Sequence, residues 1–361
     1  MTFTANGEYL VSGGDDGVRV WQVKDGEQVA TMQAKDVRCV AVSKDDGNFI
    51  AVGSLWGDVL VWDTGTYEQV FADKIPHQPV IYDVDFAPNS SRLISANNTN
   101  HTAVIWDIAA RKKVQTLDHH EQSVEAAKYS PQGDRIATAG LESVQVWDSD
   151  DGQLLVEMKA GPSPWRGLRW FNNYLFVKTW DSKIKKIDAS TGLTLSEWSV
   201  PHEGLSYVAL PQHGKFIAYS TKDNITFWDT STPHTQLGLI SRSTERRSIA
   251  FSPDDRLAIV SQEKNIIIKT LSLVKVCLAF FQYLSAREYV SLSQDLDICI
   301  ENAALEAWKS GQLTDAEKLL TAAIPRSIGT AHHVLASRAL VRACMRQWDA
   351  ALVDAEEVPS L

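Results

Sequence analysis

The chain has 361 residues, of which 44% are hydrophobic, and a formal net charge of −10. This length suits one large folded domain with a smaller companion, and the apolar share is enough for a sizeable core. The negative charge argues against a sequence-independent nucleic-acid partner, because binding phosphates requires a basic face.

Nothing in the sequence suggests secretion, membrane insertion or a metal centre. The N-terminus has no basic segment followed by an apolar run, so no signal peptide is predicted. The longest apolar run, 271–284, contains Lys275 and is too short to span a bilayer. The cysteines are far apart and form no C-x-x-C pair, which disfavours both a disulfide framework and a zinc site. They are Cys39, Cys277, Cys299 and Cys344. We expect a cytoplasmic protein with no cofactor, no metal and no membrane partner, and a nuclear location is the alternative.

One short pattern recurs along the first 280 residues. Alternating apolar side chains, typical of a strand with one buried face, end in Trp and usually Asp. The copies are 18–21, 59–63, 103–107, 143–148 and 225–229, with weaker copies at 184–188 and 266–270. The Trp position steps through 21, 62, 106, 147, 187, 228 and 269, at intervals of 41, 44, 41, 40, 41 and 41 residues. A fixed period of about 40–45 residues with a Trp-Asp signature indicates a four-stranded propeller blade.

These repeats resemble the WD-repeat family, and the resemblance covers about residues 1–280. It implies a mainly β fold, a seven-bladed β-propeller over 1–280. Phe3 aligns with the residues that end the innermost strands of later units, such as Phe86 and Tyr129. We therefore expect the ring to close without an N-terminal strand, with 276–280 as the outermost strand of the seventh blade. The alternative is a closing strand upstream of Met1.

The periodicity changes from two to 3.6 after residue 280. The segments 285–288 and 314–317 match capping boxes, which mark helix starts. Small residues stand where paired helices would approach closely, and Leu313 and Trp348 fill equivalent places 35 residues apart. This stretch resembles the tetratricopeptide repeat, whose period is about 34 residues. The resemblance implies a small α-helical domain at 285–361. Because only two repeats are present and solenoids usually need at least three, the array is interpreted as truncated or as supported by the propeller.

No catalytic motif is found: the chain has no nucleophile elbow, phosphate loop or dinucleotide fingerprint. In the family that the repeats resemble, the position of His120 holds a structural histidine. The resemblance implies that Thr138 and Trp147 are its partners. We therefore interpret His120 as structural rather than as a metal ligand. Asp16 and Asp181 are interpreted as turn residues. An enzyme is therefore the least favoured function class.

A set of candidate binding residues follows from the resemblance. In the family, the residues just after the start of each innermost strand line the upper rim near the central channel. Here they are Arg38, Tyr82, Glu125, Arg166, Tyr207 and Arg247. Arg and Tyr are enriched in interface hot spots, and a rigid ring would present them preorganised. Scattered surface polarity is the alternative interpretation.

The chain contains 12 tryptophans, more than the repeats require. Trp56 and Trp180 fall at turns on the same predicted rim, where an exposed Trp would be a binding anchor. Trp165, Trp170 and Trp198 join Trp180 in the fifth unit. The alternative is that this unit uses Trp bulk to replace its missing Trp-Asp pair.

The sequence favours a non-enzymatic scaffold or adaptor that binds other proteins on the propeller rim. A substrate-recruiting component of a ubiquitin ligase complex is the alternative within this class. In ligase components of this kind, the resemblance implies an Arg two residues after a Trp-Asp pair. The residues at that position in this chain argue against the ligase role. They are Gly65, Ala109, Asp150 and Ser231.

Overall fold

The structure is a computed structural model of the chain. It describes residues 1–44, 47–74, 80–98, 101–159, 167–179, 181–200, 207–212, 214–221, 224–230, 236–241, 246–254, 256–261 and 266–270, together with nine single residues between 314 and 354. The chain divides into two compact units. The first is Met1–Thr235 with Ile240–Ile268, and the second is Gln236–Leu239 with Lys269–Leu361.

The described part of the chain contains 27 β-strands. They are β1 (Thr2–Phe3), β2 (Tyr9–Gly14), β3 (Gly17–Gln22), β4 (Gln28–Met32), β5 (Val37–Val42), β6 (Phe49–Ser54), β7 (Asp58–Asp63), β8 (Gln69–Lys74), β9 (Ile81–Phe86), β10 (Arg92–Asn97), β11 (Ala103–Asp107), β12 (Lys112–Leu117), β13 (Val124–Tyr129), β14 (Arg135–Gly140), β15 (Ser143–Asp148), β16 (Leu154–Lys159), β17 (Leu168–Phe171), β18 (Tyr174–Lys178), β19 (Lys183–Asp188), β20 (Thr194–Ser199), β21 (Tyr207–Ala209), β22 (Phe216–Ser220), β23 (Asn224–Asp229), β24 (Gln236–Ser241), β25 (Arg246–Phe251), β26 (Arg256–Ser261) and β27 (Ile266–Thr270).

These strands form seven sheets that follow one another along the chain. Six sheets have four strands each and the described part of the seventh has three, always in chain order. We number them blades one to seven. The first strands of neighbouring blades lie side by side, from β1 beside β5 through to β21 beside β25, and β1 also lies beside β25. The circle of inner strands is thus complete, and the predicted seven-bladed propeller is confirmed.

Apolar clusters between neighbouring blades hold the ring together. Strand residues alternate between two faces, so each blade can bury both of its faces against its neighbours. The Trp of each repeat packs toward the preceding blade. Trp62 is buried in the cluster shared with blade one, Trp106 in that shared with blade two, and Trp147 in that shared with blade three.

The ring closes between blades seven and one through side-chain packing. Phe3 and Leu10 of blade one pack with Ala258 of blade seven. Arg256 adds a hydrogen bond from Nη2 to the carbonyl oxygen of Gly7 at 2.9 Å. β1 pairs with β2 of its own blade, as predicted. The predicted outer strand at 276–280 lies outside the described residues and stays a prediction.

The outermost strands of blades one to five share one irregularity. In each of them, one extra residue lies next to the residue that pairs with the Trp position, which makes a β-bulge. All five extra residues are apolar, and all but Val70 are exposed. They are Val29, Val70, Val114, Leu155 and Leu195. The outer wall, by which we mean the surface formed by the outermost strands, therefore has an apolar side chain at the same place in blades one to five.

In the second unit, the nine single residues described between 314 and 354 are all helical. They include an ion-pair network centred on Asp354, whose side chain is buried. Arg338 Nη2 lies 2.7 Å from Asp354 Oδ1, and Arg342 Nη1 lies 3.0 Å from Asp354 Oδ2. Arg342 also pairs with Glu317 at 2.8 Å. The helix pairs of the predicted tetratricopeptide-like domain fall mostly outside the described residues, so that assignment stays a prediction.

Candidate functional site

Four of the predicted rim residues share one structural position. In β5, β9, β13 and β25, the pairing with the second strand skips one residue near the start of the strand. The skipped residues are Arg38, Tyr82, Glu125 and Arg247. A β-bulge re-aims its extra side chain away from the regular alternation of the strand. Four blades therefore present one bulge residue each at the same end of the ring.

The bulge residues differ in exposure. Arg38 is exposed, whereas Tyr82 and Glu125 are partly buried. Tyr82 is oriented by its hydroxyl oxygen, which accepts a hydrogen bond from Asn98 Nδ2 at 3.2 Å. Tyr207 begins β21 and is also partly buried, but it pairs in regular register with Ser220. Arg38 is therefore the most accessible charged group of this set.

Trp56 lies at the same end of blade two as Arg38. It sits in the turn between β6 and β7, and 44% of its surface is exposed. Its Nε1 donates to Asp36 Oδ2 at 2.7 Å, just before β5 begins. A second bond, from the Leu55 amide to the Asp36 carbonyl at 3.0 Å, ties the same two loops together. The indole is thus held in place with much of its ring accessible.

The remaining predicted site residues cannot be joined to this group. Arg166 and Trp180 lie outside the described residues. Arg247 has its backbone in β25, but its side chain lies outside the described part. The described site therefore consists of Trp56, Arg38 and the neighbouring bulge residues.

Two of the extra tryptophans of blade five are structural. Trp198 is 2% exposed and packs edge-on against Phe176, with ring centroids 6.4 Å apart. Trp170 packs on the core between blades four and five, and its Nε1 donates to Asn172 O at 2.7 Å. Trp198 packs against blade six, whereas Ile187, which takes the Trp position, packs against blade four, so Trp198 does not replace the missing pair. Trp170 lies in the same cluster as Ile187, and for this residue the interpretation that Trp bulk replaces the missing pair stays a prediction. Trp165 lies outside the described part.

The structural interpretation of His120 is confirmed. Its Nε2 lies 2.7 Å from Thr138 Oγ1, which also accepts a hydrogen bond from Trp147 Nε1 at 2.7 Å. Burial lowers the pKa of His120 to about 4, so the ring is neutral at physiological pH. A neutral imidazole bound to a hydroxyl inside a blade is a packing element.

The Asp of the Trp-Asp pairs acts as the acceptor of a turn. Asp148 accepts hydrogen bonds from the amides of Asp150 and Asp151 at 2.8 and 3.2 Å. Asp63 does the same in blade two, where hydrogen bonds from Thr66 hold its pKa below the usual value. These carboxylates are engaged in local structure, which fits neither acid–base catalysis nor metal binding.

Within the described residues, no group of three or more His, Cys, Asp and Glu side chains is placed to hold a metal ion. No helix in that part of the chain is long and apolar enough to cross a bilayer.

Comparison with known proteins supports the repeat assignment. A family model described as WD domain, G-beta repeat matches residues 1–22, 26–63, 70–107 and 111–148. These segments end at or next to the Trp-Asp positions of blades one to four. These four segments, within residues 1–148, therefore match WD repeats. Proteins with WD-repeat propellers generally act as scaffolds for protein interactions.

Several relatives match this chain at low identity. One component of chromatin assembly factor 1 from Gallus gallus is 26% identical over 165 residues, which are 45% of this chain and 25% of the relative. WD repeat-containing protein 1 from Rattus norvegicus is 22% identical over 254 residues, 66% of this chain and 41% of the relative. The chain thus spans well under half the length of these relatives.

A solved structure supports the fold. The crystal structure of the Myceliophteria thermophila Cps50 (Swd1) β-propeller domain superimposes with a TM-score of 0.66 and 17% identity, covering 74% of this chain and 93% of the domain. At this identity the likeness concerns the β-propeller fold alone.

Sequence reasoning proposed rim residues but did not predict how the described ones are held. The inner bulges depend on hydrogen-bond register, which the residue types do not reveal. The link between Trp56 and Asp36 joins residues 20 positions apart. The only signal for it is the repeat itself, which puts the turn before β7 next to the start of β5.

Proposed function

We propose that this protein is a non-enzymatic scaffold that binds other proteins at the rim formed by Trp56, Arg38 and the neighbouring bulge residues Tyr82 and Glu125. The main observation that supports this proposal is the repeated bulge at the start of the inner strands. Bulges are often found next to functional sites because they re-aim a side chain. Their recurrence in four blades supports a shared surface rather than scattered polarity.

The chemistry of this rim suits a peptide-like segment that carries an acidic side chain. The exposed guanidinium of Arg38 offers forked donors that match a carboxylate. Trp56 offers a large apolar face that is already fixed by its bond to Asp36, so little side-chain entropy is lost on binding. An acidic partner is compatible with the overall negative charge of the chain because the contact is local and the Debye length is about 8 Å at physiological ionic strength.

The alternative role in a ubiquitin ligase complex is not favoured by any described contact. Gly65, at the place where that role would want Arg, is part of the Asp63 turn. We propose that the protein acts in the cytoplasm, in keeping with the widely spaced cysteines. We also propose that 285–361 is a tetratricopeptide-like helical module, supported by the buried Asp354 network between helical residues.

The rim is tested by site-specific photo-crosslinking in the native cell. A photoreactive phenylalanine analogue replaces Trp56 in one version and Val114 in another. The two positions are matched, because Trp56 is 44% exposed and Val114 is 43% exposed, on the rim and on the outer wall respectively. We expect the same crosslinked protein in repeated captures at position 56 and not at position 114.

A second step uses the captured partner itself. Arg38→Ala should weaken its binding by about 1–2 kcal/mol if this residue is a hot spot, without lowering the melting temperature. Equal capture at both positions, or unchanged binding by Arg38→Ala and Trp56→Ala, would remove the rim from consideration.

A further inference from the structure

The junction between blades seven and one differs from the other junctions of the ring. Every other pair of neighbouring blades is joined by the short segment that leads from one blade to the next. The described strands of blades seven and one also share no sheet. Trp21, which packs at this junction, is only partly buried, whereas the equivalent Trp62 and Trp106 at the next two junctions are buried. We therefore expect the ring to open at this junction before any other.

A short turn of blade one lies at this junction and contains the pair Asn6–Gly7. Asn6 is exposed and Gly7 is buried. Arg256 Nη2 of blade seven donates a hydrogen bond to the Gly7 carbonyl at 2.9 Å. Gly7 has a φ of +70°, and a Cβ at this position would lie 3.4 Å from Asp254 Oδ1. The turn is thus built around a glycine, and this glycine ties it to the neighbouring blade.

Hydrogen bonds restrain both members of the pair in the closed ring. The Gly7 amide donates to the Thr4 carbonyl at 2.9 Å. The Asn6 side chain accepts from the Thr4 hydroxyl at 2.6 Å and donates from Nδ2 to Glu8 Oε2 at 2.8 Å. Its Oδ1 also accepts from the Glu8 amide at 3.1 Å. Neither the Gly7 nitrogen nor the Asn6 carboxamide is therefore free to move toward the other.

An asparagine followed by glycine is prone to deamidation, because glycine has no side chain to hinder attack by its own amide nitrogen. The Gly7 nitrogen attacks the side-chain carbonyl carbon of Asn6. The bond from that carbon to Nδ2 breaks, and the Nδ2 group leaves as ammonia with the proton of the Gly7 amide. Water then opens the cyclic imide at either carbonyl, which yields aspartate or isoaspartate. No oxidant or enzyme is required.

We propose that Asn6–Gly7 is a self-modification site that records opening of the ring between blades seven and one. The hydrogen bonds of the turn protect the pair in the closed ring, so deamidation proceeds from the small population in which the junction is open. The isoaspartate product adds one backbone atom before Gly7. The Gly7 amide and carbonyl then cannot both keep their bonds to Thr4 and Arg256, and the modified ring cannot close fully again.

Ageing of the full chain at physiological pH and temperature tests the proposal, with deamidation of Asn6 followed by peptide mass spectrometry. Two variants loosen the junction from blade seven. Arg256→Gln removes the bond to Gly7, and Ala258→Gly trims the buried cluster shared with blade one. We expect Arg256→Gln to speed the deamidation about tenfold, which corresponds to about 1.4 kcal/mol. Ala258→Gly should also speed it, although Ala258 does not belong to the turn.

Blade four offers a matched control for each variant. Arg135 and Ala137 occupy the positions in β14 that Arg256 and Ala258 occupy in β26. Arg135 bonds to blade five, and Ala137 lies in the cluster shared with that blade. Arg135→Gln and Ala137→Gly should therefore leave the rate at Asn6 unchanged. Equal acceleration by the two pairs of variants would mean that Asn6 reacts from the globally unfolded chain, which overturns the proposal.

The remaining outcomes decide whether the junction itself opens. Acceleration by Arg256→Gln without any by Ala258→Gly would show that the turn opens alone, and the proposal would be wrong. Absence of deamidation at Asn6 in wild type and in both variants would also overturn it. Amide hydrogen exchange in β1 and β2 should be faster in the isoaspartate form than in the unmodified chain, and equal exchange would contradict the effect on closure. Should Arg256→Gln fail to fold by circular dichroism, Arg256→Lys takes its place.

Discussion

Blades four and five bury an indole in two chemically different ways. In blade four, Trp147 is 1% exposed and shares Thr138 with His120 in a polar network. In blade five, Ile187 takes the Trp147 position, and the buried indole is Trp198 on the outer strand. The Nε1 of Trp198 is buried without a hydrogen-bond partner among the described residues.

This comparison shows that one blade geometry can be stabilised by two different means. Both blades need a large side chain to fill the space between sheets, because protein interiors are close-packed. Blade four adds hydrogen bonds among His120, Thr138 and Trp147, which depend on the protonation state of His120 and on the indole N–H of Trp147. Blade five relies on apolar volume, including the edge-on contact with Phe176. The following changes separate the two contributions.

The largest effect is expected where either indole is removed. Trp147→Ala and Trp198→Ala should each lower the free energy of unfolding by about 3–5 kcal/mol, because each leaves a large cavity. Urea unfolding followed by circular dichroism measures both. A cost below about 1 kcal/mol for either variant would mean that its blade does not depend on the indole.

Acid should act on blade four in particular. His120 has a pKa of about 4 when folded and an ordinary value of 6.5. Above pH 6.5 this histidine is neutral in both states and its full contribution is present. As the pH falls from 6.5 to about 4, the unfolded chain takes up a proton that the folded chain does not. The difference, at about 1.36 kcal/mol per pKa unit, amounts to about 3 kcal/mol of lost stability.

The effect of acid on His120 is measured as the difference in unfolding free energy between wild type and a variant that lacks this histidine. Unfolding free energies of wild type and His120→Gln are compared at several values between about pH 7 and pH 4, so that carboxylate titrations cancel. The loss should be steeper in wild type by about 3 kcal/mol over this range. Parallel curves would show that His120 does not titrate as its burial implies.

Phenylalanine substitutions compare the two indole N–H groups. Trp147→Phe deprives Thr138 of a donor, whereas Trp198→Phe removes a buried N–H that has no partner among the described residues. Thr138 keeps its contact with His120, so Trp147→Phe removes one hydrogen bond, which costs about 0.5–1.5 kcal/mol. Trp147→Phe should therefore be the more destabilising change by about 1 kcal/mol. Differential scanning calorimetry of both variants gives the comparison, and the reverse order would contradict it.

The smallest effect concerns a turn that both blades share. Asp148 and Asp188 each accept two amide hydrogen bonds in the turn after the third strand. Asp148→Ala and Asp188→Ala should each cost about 0.5 kcal/mol, because these turns are solvent-accessible. Similar small shifts in the urea midpoint would show that the turn is independent of the core behind it. A shift confined to one blade would link turn and core.

The sequence was enough to predict the number of blades. Repeats of about 41 residues fix the ring because each blade must bury both faces against the next. The bulges at Arg38 and Tyr82 could not be predicted, since they are set by hydrogen-bond register rather than by residue type.

The outer bulges affect how these rings behave when they are crowded together. An edge strand offers unpaired N–H and C=O groups that can template the addition of another chain. The extra residue at positions such as Val114 and Leu155 interrupts that ladder and increases the local twist, so a straight foreign strand cannot align along it. Exposed valines and leucines on the same wall still attract one another. Concentrated solutions should therefore form reversible clusters through side chains rather than fibrils through backbone pairing.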